Sequence, residues 1–86
     1  MADVIIYTRD GCPYCTRAKA LLSAKGAGFT EYNASHDPSY RQQMVERSGR
    51  NTFPQVFVNG QHLGGCDDIH ALDAQGKLDP LLARGA

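Results

Sequence analysis

The sequence predicts an α/β fold, a four-stranded mixed sheet flanked by three or four helices, and three observations carry that expectation. The apolar run Val4-Ile5-Ile6-Tyr7 is continuous rather than alternating, as in a strand buried on both faces. A turn, a helical pattern and a second β-favouring stretch follow it within about thirty residues, the length of a parallel βαβ unit. Farther on, Asn59-Gly60 lies between two apolar runs and marks a hairpin, because a type I′ turn needs positive φ at both central residues.

The first strand is expected over Asp3 to Thr8, and Arg9-Asp10-Gly11 breaks it. The first helix runs from about Pro13 to Lys25: Cys15, Ala18, Leu21 and Leu22 recur at helical spacing, and Gly26 stands where a helix leaves its last turn. Phe29 to Asn33 reads as a short second strand. Asp37-Pro38 restarts a helix, with Asp as N-cap and Pro at the first helical position. Tyr40, Met44 and Val45 carry this helix to Ser48, and Gly49 closes it. Arg50 to Pro54 is a loop, followed by strands at Gln55–Val58 and Gln61–Leu63. After Gly64-Gly65 a third helix starts at Asp67 or Asp68 and ends at about Gln75, before Gly76. Asp79-Pro80-Leu81-Leu82 is expected to form a short terminal helix or turn that packs its leucines back.

With 86 residues, 42% of them apolar, the chain is expected to form one domain, 1–86, around a single core. Nine Lys plus Arg balance nine Asp plus Glu, and no basic cluster interleaved with aromatics occurs, so nucleic acid is not an expected partner. The N-terminus has no basic stretch, and its apolar run of about five residues is far shorter than a signal peptide or membrane span. A cytoplasmic location follows, with no membrane partner. Where thiols are kept reduced, three cysteines with a single close pair point to catalytic rather than structural sulfur.

That pair is Cys12-Pro13-Tyr14-Cys15, at the passage from strand to helix, and two thiols at this spacing form a redox motif. Pro13 suits the first helical position, where its missing N–H costs nothing, so Cys12 falls at the N-cap. There the unpaired N–H groups and the positive end of the helix favour a negative charge. The Cys12 thiol is therefore expected to ionise below its ordinary value of about 8.5, in the range of roughly 3.5–7.5 found at such positions. Cys12 is the expected nucleophile. Cys15, one turn on and on the face of Ala18 and Leu22, is expected to stay a thiol until a mixed disulfide forms beside it, and then to resolve that bond. A structural zinc site needs four ligands, and one CxxC, a separate Cys66 and three scattered histidines make a poor set, so no metal is expected. A purely structural disulfide would close a ring too short to constrain the unfolded chain much.

With these residues in place the chain resembles the glutaredoxins, and most closely the short bacterial dithiol type. The likeness rests on Tyr7-Thr8-Arg9, Cys12-Pro13-Tyr14-Cys15, Thr52-Phe53-Pro54 and Gly64-Gly65-Cys66-Asp67-Asp68, in that order, and spans nearly the whole chain. It implies a thioredoxin-like fold, glutathione as co-substrate with no permanently bound cofactor, and a monomer that acts on glutathionylated or disulfide-containing proteins. It also implies a role for each matching position. Arg9, where the family usually has Lys, would hold the glycine carboxylate of glutathione through paired hydrogen bonds, with Arg41 at the same end unless it is simply a solvated surface cation. Thr52 and Phe53 would line the peptide, and a cis bond before Pro54 would turn the Phe53 N–H and C=O toward it. The family commonly has Val at position 53, so the larger ring here could reshape the rim. Gly65, Cys66 and Asp67 open a helix whose free N–H groups would take the γ-glutamyl carboxylate, with Asp67 facing the adjacent ammonium; alternatively Asp67 is only an N-cap. Tyr14 would flank the thiolate. Cys66 would serve as a small packing residue, a backbone contributor or a further redox-sensitive thiol. His36, His62 and His70 fit surface or strand-face positions, with none placed as a base for Cys12.

The activity so implied is glutathione-dependent thiol–disulfide exchange through Cys12 and Cys15, with couples near about −200 to −230 mV. Supplying electrons to enzymes such as ribonucleotide reductase and repairing glutathionylated proteins belong to the same expectation. Two alternatives share the fold: a redoxin reduced by thioredoxin reductase, and a non-enzymatic dimer carrying a glutathione-ligated [2Fe–2S] cluster. Arg9 and Gly65-Cys66-Asp67 argue against the first. Pro13 and the nearby Cys15 argue against the second.

Overall fold

A computed structural model describes residues 2–83. Among them the elements run β1 (Val4–Thr8), α1 (Pro13–Ala24), β2 (Thr30–Asn33), α2 (Ser39–Ser48), β3 (Gln55–Val58), β4 (Gln61–Gly64), α3 (Cys66–Ala74) and α4 (Leu78–Ala83). The strands form one mixed sheet in the order β2-β1-β3-β4. β1 pairs in parallel with β2 and antiparallel with β3, and β3 pairs antiparallel with β4. The predicted thioredoxin-like α/β architecture is therefore present.

Alternation along the strands divides the core. Val4, Ile6, Val56 and Val58 meet Ala18 and Leu22 of α1 and Cys66 and Ile69 of α3 on one face. Tyr7 and Phe57 meet Met44 of α2 on the other. The Tyr7 hydroxyl is not stranded there: it donates to Gln43 Oε1 at 2.6 Å and accepts from Arg47 Nη1 at 2.9 Å. No helix among the described residues is long and apolar enough to cross a membrane.

Element boundaries differ from expectation in instructive ways. β1 starts at Val4 because Asp3 turns its backbone to Asn59: the Asp3 N–H donates to Asn59 Oδ1, and the Asn59 N–H to the Asp3 carbonyl, each at 2.8 Å. β2 starts at Thr30, the partner of Ile5, while Phe29 packs against the core just before it. α2 starts at Ser39 rather than Pro38. Pro38 is the N-cap position and has no side-chain acceptor to offer, so the Asp37 carboxylate accepts instead from the Ser39 N–H at 3.0 Å. α3 starts at Cys66, one or two residues early, and β4 reaches Gly64 through an irregularity opposite Val56 and Phe57. The hairpin is as expected, with φ of 51° at Asn59 and 81° at Gly60.

Candidate active site

β1 delivers the chain to Gly11, whose φ of 66° suits glycine, and the next residue begins α1. Cys12 is the N-cap, in extended backbone with φ −109° and ψ 100°, and Pro13 occupies the first turn. The Cys12 sulfur accepts the Cys15 N–H at 3.1 Å, so it takes up one of the donors a helix leaves unpaired at its start. The thiol of Cys12 points to the Phe53 carbonyl oxygen, 3.9 Å away. Both cysteines are reduced and buried, Cys12 6% and Cys15 2% exposed. Burial first, and then the hydrogen bond with Cys12, push the Cys15 thiol up to about 12, so it stays protonated across the physiological range.

Two depressions have the Thr52-Phe53 segment as a common border. One, of about 210 Å³, is bordered by Tyr14, Thr52, Phe53, Pro54, Gly65, Cys66 and Asp67, together with Arg50, Gln55 and Asp68. The other, of about 290 Å³, is bordered by Arg9, Arg41, Asn51, Thr52 and Phe53. Every position expected to meet glutathione thus borders one or both. The Phe53–Pro54 bond is cis. Tyr14 is half exposed at the rim.

The start of α3 corrects one detail. Gly65, not Asp67, is the N-cap, and Asp67 lies inside the first turn. The Gly65 N–H is already engaged, donating to Asp68 Oδ2 at 2.9 Å, the reciprocal arm of a capping box. Any anion at this helix therefore meets the donors that follow Gly65. That N–H, and then Arg50 at 3.0 Å, hold the Asp68 carboxyl below the usual carboxylate range. Cys66 is buried, which raises its thiol, and its sulfur lies 3.5 Å from His70 Nδ1. His70 Nδ1 also reaches the Cys66 carbonyl at 2.8 Å.

Arg50 and Gln55 border the depression without having been expected there, and Asp68, named in the motif that opens the third helix, was not assigned to it. Asp68 carried a readable signal, an acid three residues after a helix start. Arg50 and Gln55 carried none, because their partners are Asp68 and His62, far along the chain.

The chain is similar in sequence and in fold to known proteins. A family model described as Glutaredoxin matches residues 4–63. Glutaredoxin 3 of Escherichia coli strain K12 is 58% identical over 82 residues, which cover 95% of this chain and 99% of that protein. The solution structure of glutaredoxin from Brucella melitensis is 66% identical, covers 95% of this chain and 89% of that one, and superposes with a TM-score of 0.83. A crystal structure of a buckwheat glutaredoxin–glutathione complex is 28% identical, covers 94% and 76% respectively, and has a TM-score of 0.87.

Proposed function

The chain belongs to the glutaredoxin family of thiol–disulfide oxidoreductases, and from that premise we propose that it works with glutathione as its reductant. The observation that carries this reading is the placement of Cys12 at the head of α1, accepting the Cys15 N–H and facing the carbonyl of Phe53, a residue that borders both depressions. Arginines border one depression and a helix N-terminus opens on the other, which suits a peptide with a carboxylate at each end. The buckwheat relative, solved as a glutathione complex, supports the same reading.

In the single-cysteine route the Cys12 thiolate attacks the glutathione sulfur of a protein–glutathione mixed disulfide. That S–S bond breaks, the target protein leaves as a thiolate and takes up a proton, and Cys12 is left bonded to glutathione. A second glutathione thiolate attacks the glutathione sulfur of this bond, frees Cys12 and departs as oxidised glutathione. In the dithiol route Cys12 attacks a protein disulfide, Cys15 gives up its proton and attacks the Cys12 sulfur, and the reduced protein is released. Two glutathiones then reduce the Cys12–Cys15 bond in successive steps. The high protonation range of Cys15 suits its part, since a thiol held neutral does not compete with Cys12 for the first attack.

Glutathione lies along Thr52 and Phe53 beside Pro54, its glycine carboxylate toward Arg9 and Arg41. The γ-glutamyl carboxylate meets the first turn of α3 at Cys66 and Asp67, with the Asp67 side chain toward the ammonium and Tyr14 over the reacting sulfurs. Acting as a single-domain cytoplasmic monomer, the protein repairs glutathionylated proteins and donates electrons to enzymes such as ribonucleotide reductase. An assay coupling glutathione, glutathione reductase and NADPH to a glutathionylated substrate tests this. Cys12→Ser abolishes turnover, whereas Cys15→Ser keeps it on the glutathionylated substrate and loses it on a protein disulfide. Turnover retained by Cys12→Ser would reverse the two roles, and turnover driven only by thioredoxin reductase would remove glutathione from the scheme.

A further inference from the structure

Gln55 is 1% exposed, a fully buried amide on the strand that leaves the active-site loop. Its Nε2 donates to the Thr52 carbonyl oxygen and to Thr52 Oγ1, both at 3.1 Å. Its Oε1 lies 2.6 Å from His62 Nε2 on β4. The Thr52 carbonyl can only accept, which fixes the NH2 end of Gln55 toward it and the oxygen toward His62. His62 must then carry its proton on Nε2, in the neutral ring as in the charged one. The ring is itself held, with its centroid 5.0 Å from that of Phe57. A directed chain therefore runs His62 to Gln55 to Thr52, from the edge of the sheet to the segment shared by both depressions.

We infer that Gln55, oriented by His62, is a positioning residue that holds Thr52 and Phe53 in the conformation glutathione binds. This rests on the glutathione-dependent reading above. The Phe53 carbonyl faces the Cys12 sulfur at 3.9 Å, so a shift of this segment changes the floor on which the tripeptide lies against the nucleophile. The hydrogen bonds of Gln55 run to Thr52 and His62 and not to the Cys12 sulfur. The effect of Gln55 belongs to binding, which moves KM and leaves kcat in place.

The test compares wild type with Gln55→Glu, His62→Leu and His62→Gln in the coupled assay, together with amide spectra of the free protein. Gln55→Glu keeps shape and the acceptor toward His62 but leaves at most one donor toward Thr52 in place of two. It should raise KM for glutathione about tenfold, equivalent to about 1.4 kcal/mol, as fits one buried hydrogen-bonding group. His62→Leu frees the amide and should raise KM in the same direction, while His62→Gln, which again offers an N–H to Gln55 Oε1, restores it. Should a buried carboxylate keep Gln55→Glu from folding, the two His62 variants decide alone. Equal KM values in wild type and His62→Leu, or equal rises in His62→Leu and His62→Gln, overturn the inference. So do unmoved Thr52 and Phe53 amide resonances in His62→Leu. A wild type that is inert with glutathione would sink the previous reading instead, and those resonances would still report whether Gln55 holds the segment.

Discussion

At position 64 one methyl group separates a working helix cap from a broken one. Gly64 adopts φ 111°, a region that side chains avoid, and a Cβ built there would fall on the Asp68 carboxylate that caps α3. Gly64→Ala should therefore lower stability by about 2 kcal/mol or more, measured by chemical denaturation. Adding Asp68→Ala should remove the carboxylate from the overlap but leave the Asp68 Cβ 2.7 Å from the new methyl, along with the backbone strain, so the double variant recovers only part of the loss. Its neighbour Asp67 behaves oppositely: exposed and uninvolved in the cap, it should raise KM for glutathione on substitution by Ala while the melting temperature holds. A KM unchanged in Asp67→Ala would remove that carboxylate from the site. The same contrast explains which residues were legible beforehand. Cys12, Pro13 and Cys15 act through neighbours in sequence, so spacing alone exposed them. Gln55 and Arg50 act through His62 and Asp68, and no local pattern announces such a partnership.

Among the elements, the helices are set by their ends. α1 closes on a Schellman arrangement, with the Ala27 N–H donating to the Leu22 carbonyl at 3.0 Å and the Gly26 N–H to Ser23 at 2.9 Å, as the glycine at 26 led one to expect. α3 begins earlier than expected because two adjacent acids, Asp67 and Asp68, each look like an N-cap; the cap is a glycine, and Asp68 acts from inside the first turn. This makes the start of α3 sensitive to acid. The native Asp68 carboxyl lies below its unfolded value of about 3.9, so its contribution is complete above that value and is lost as pH falls through the lowered native one. Asp68→Asn keeps an acceptor for the Gly65 N–H and loses only the charge. Because the group is half exposed and its partner Arg50 is screened by solvent, the cost at pH 7 should be about 0.5 kcal/mol. Denaturation midpoints of the two proteins should converge as pH falls through the lowered native value of Asp68. A gap of constant size across that range would mean that Asp68 acts by shape and not by charge.

For the whole molecule, the sheet separates two unequal cores, and the site rests on both. Cys15, Ala18 and Leu22 anchor α1 on one face, whereas Met44 is the buried residue of α2 on the other. The smaller core also receives Phe53, the loop residue whose carbonyl faces Cys12. Leu22 and Met44 are both fully buried, so truncation of either to Ala should cost about 2–5 kcal/mol, but the loss should be distributed differently. Leu22→Ala weakens the core that joins α1, the sheet and α3, and should lower global stability while KM for glutathione changes little. Met44→Ala weakens the contact that keeps α2 on the sheet, and it loosens the support beneath Phe53. Native-state hydrogen exchange should then show α2 amides opening well below the global free energy while α1 amides still exchange through complete unfolding. KM for glutathione should rise in step with α2 opening. If α2 and α1 amides merge into one exchange class in Met44→Ala, the two cores are a single cooperative unit. The floor of the site would then be supported by the whole fold, not by its thinner side.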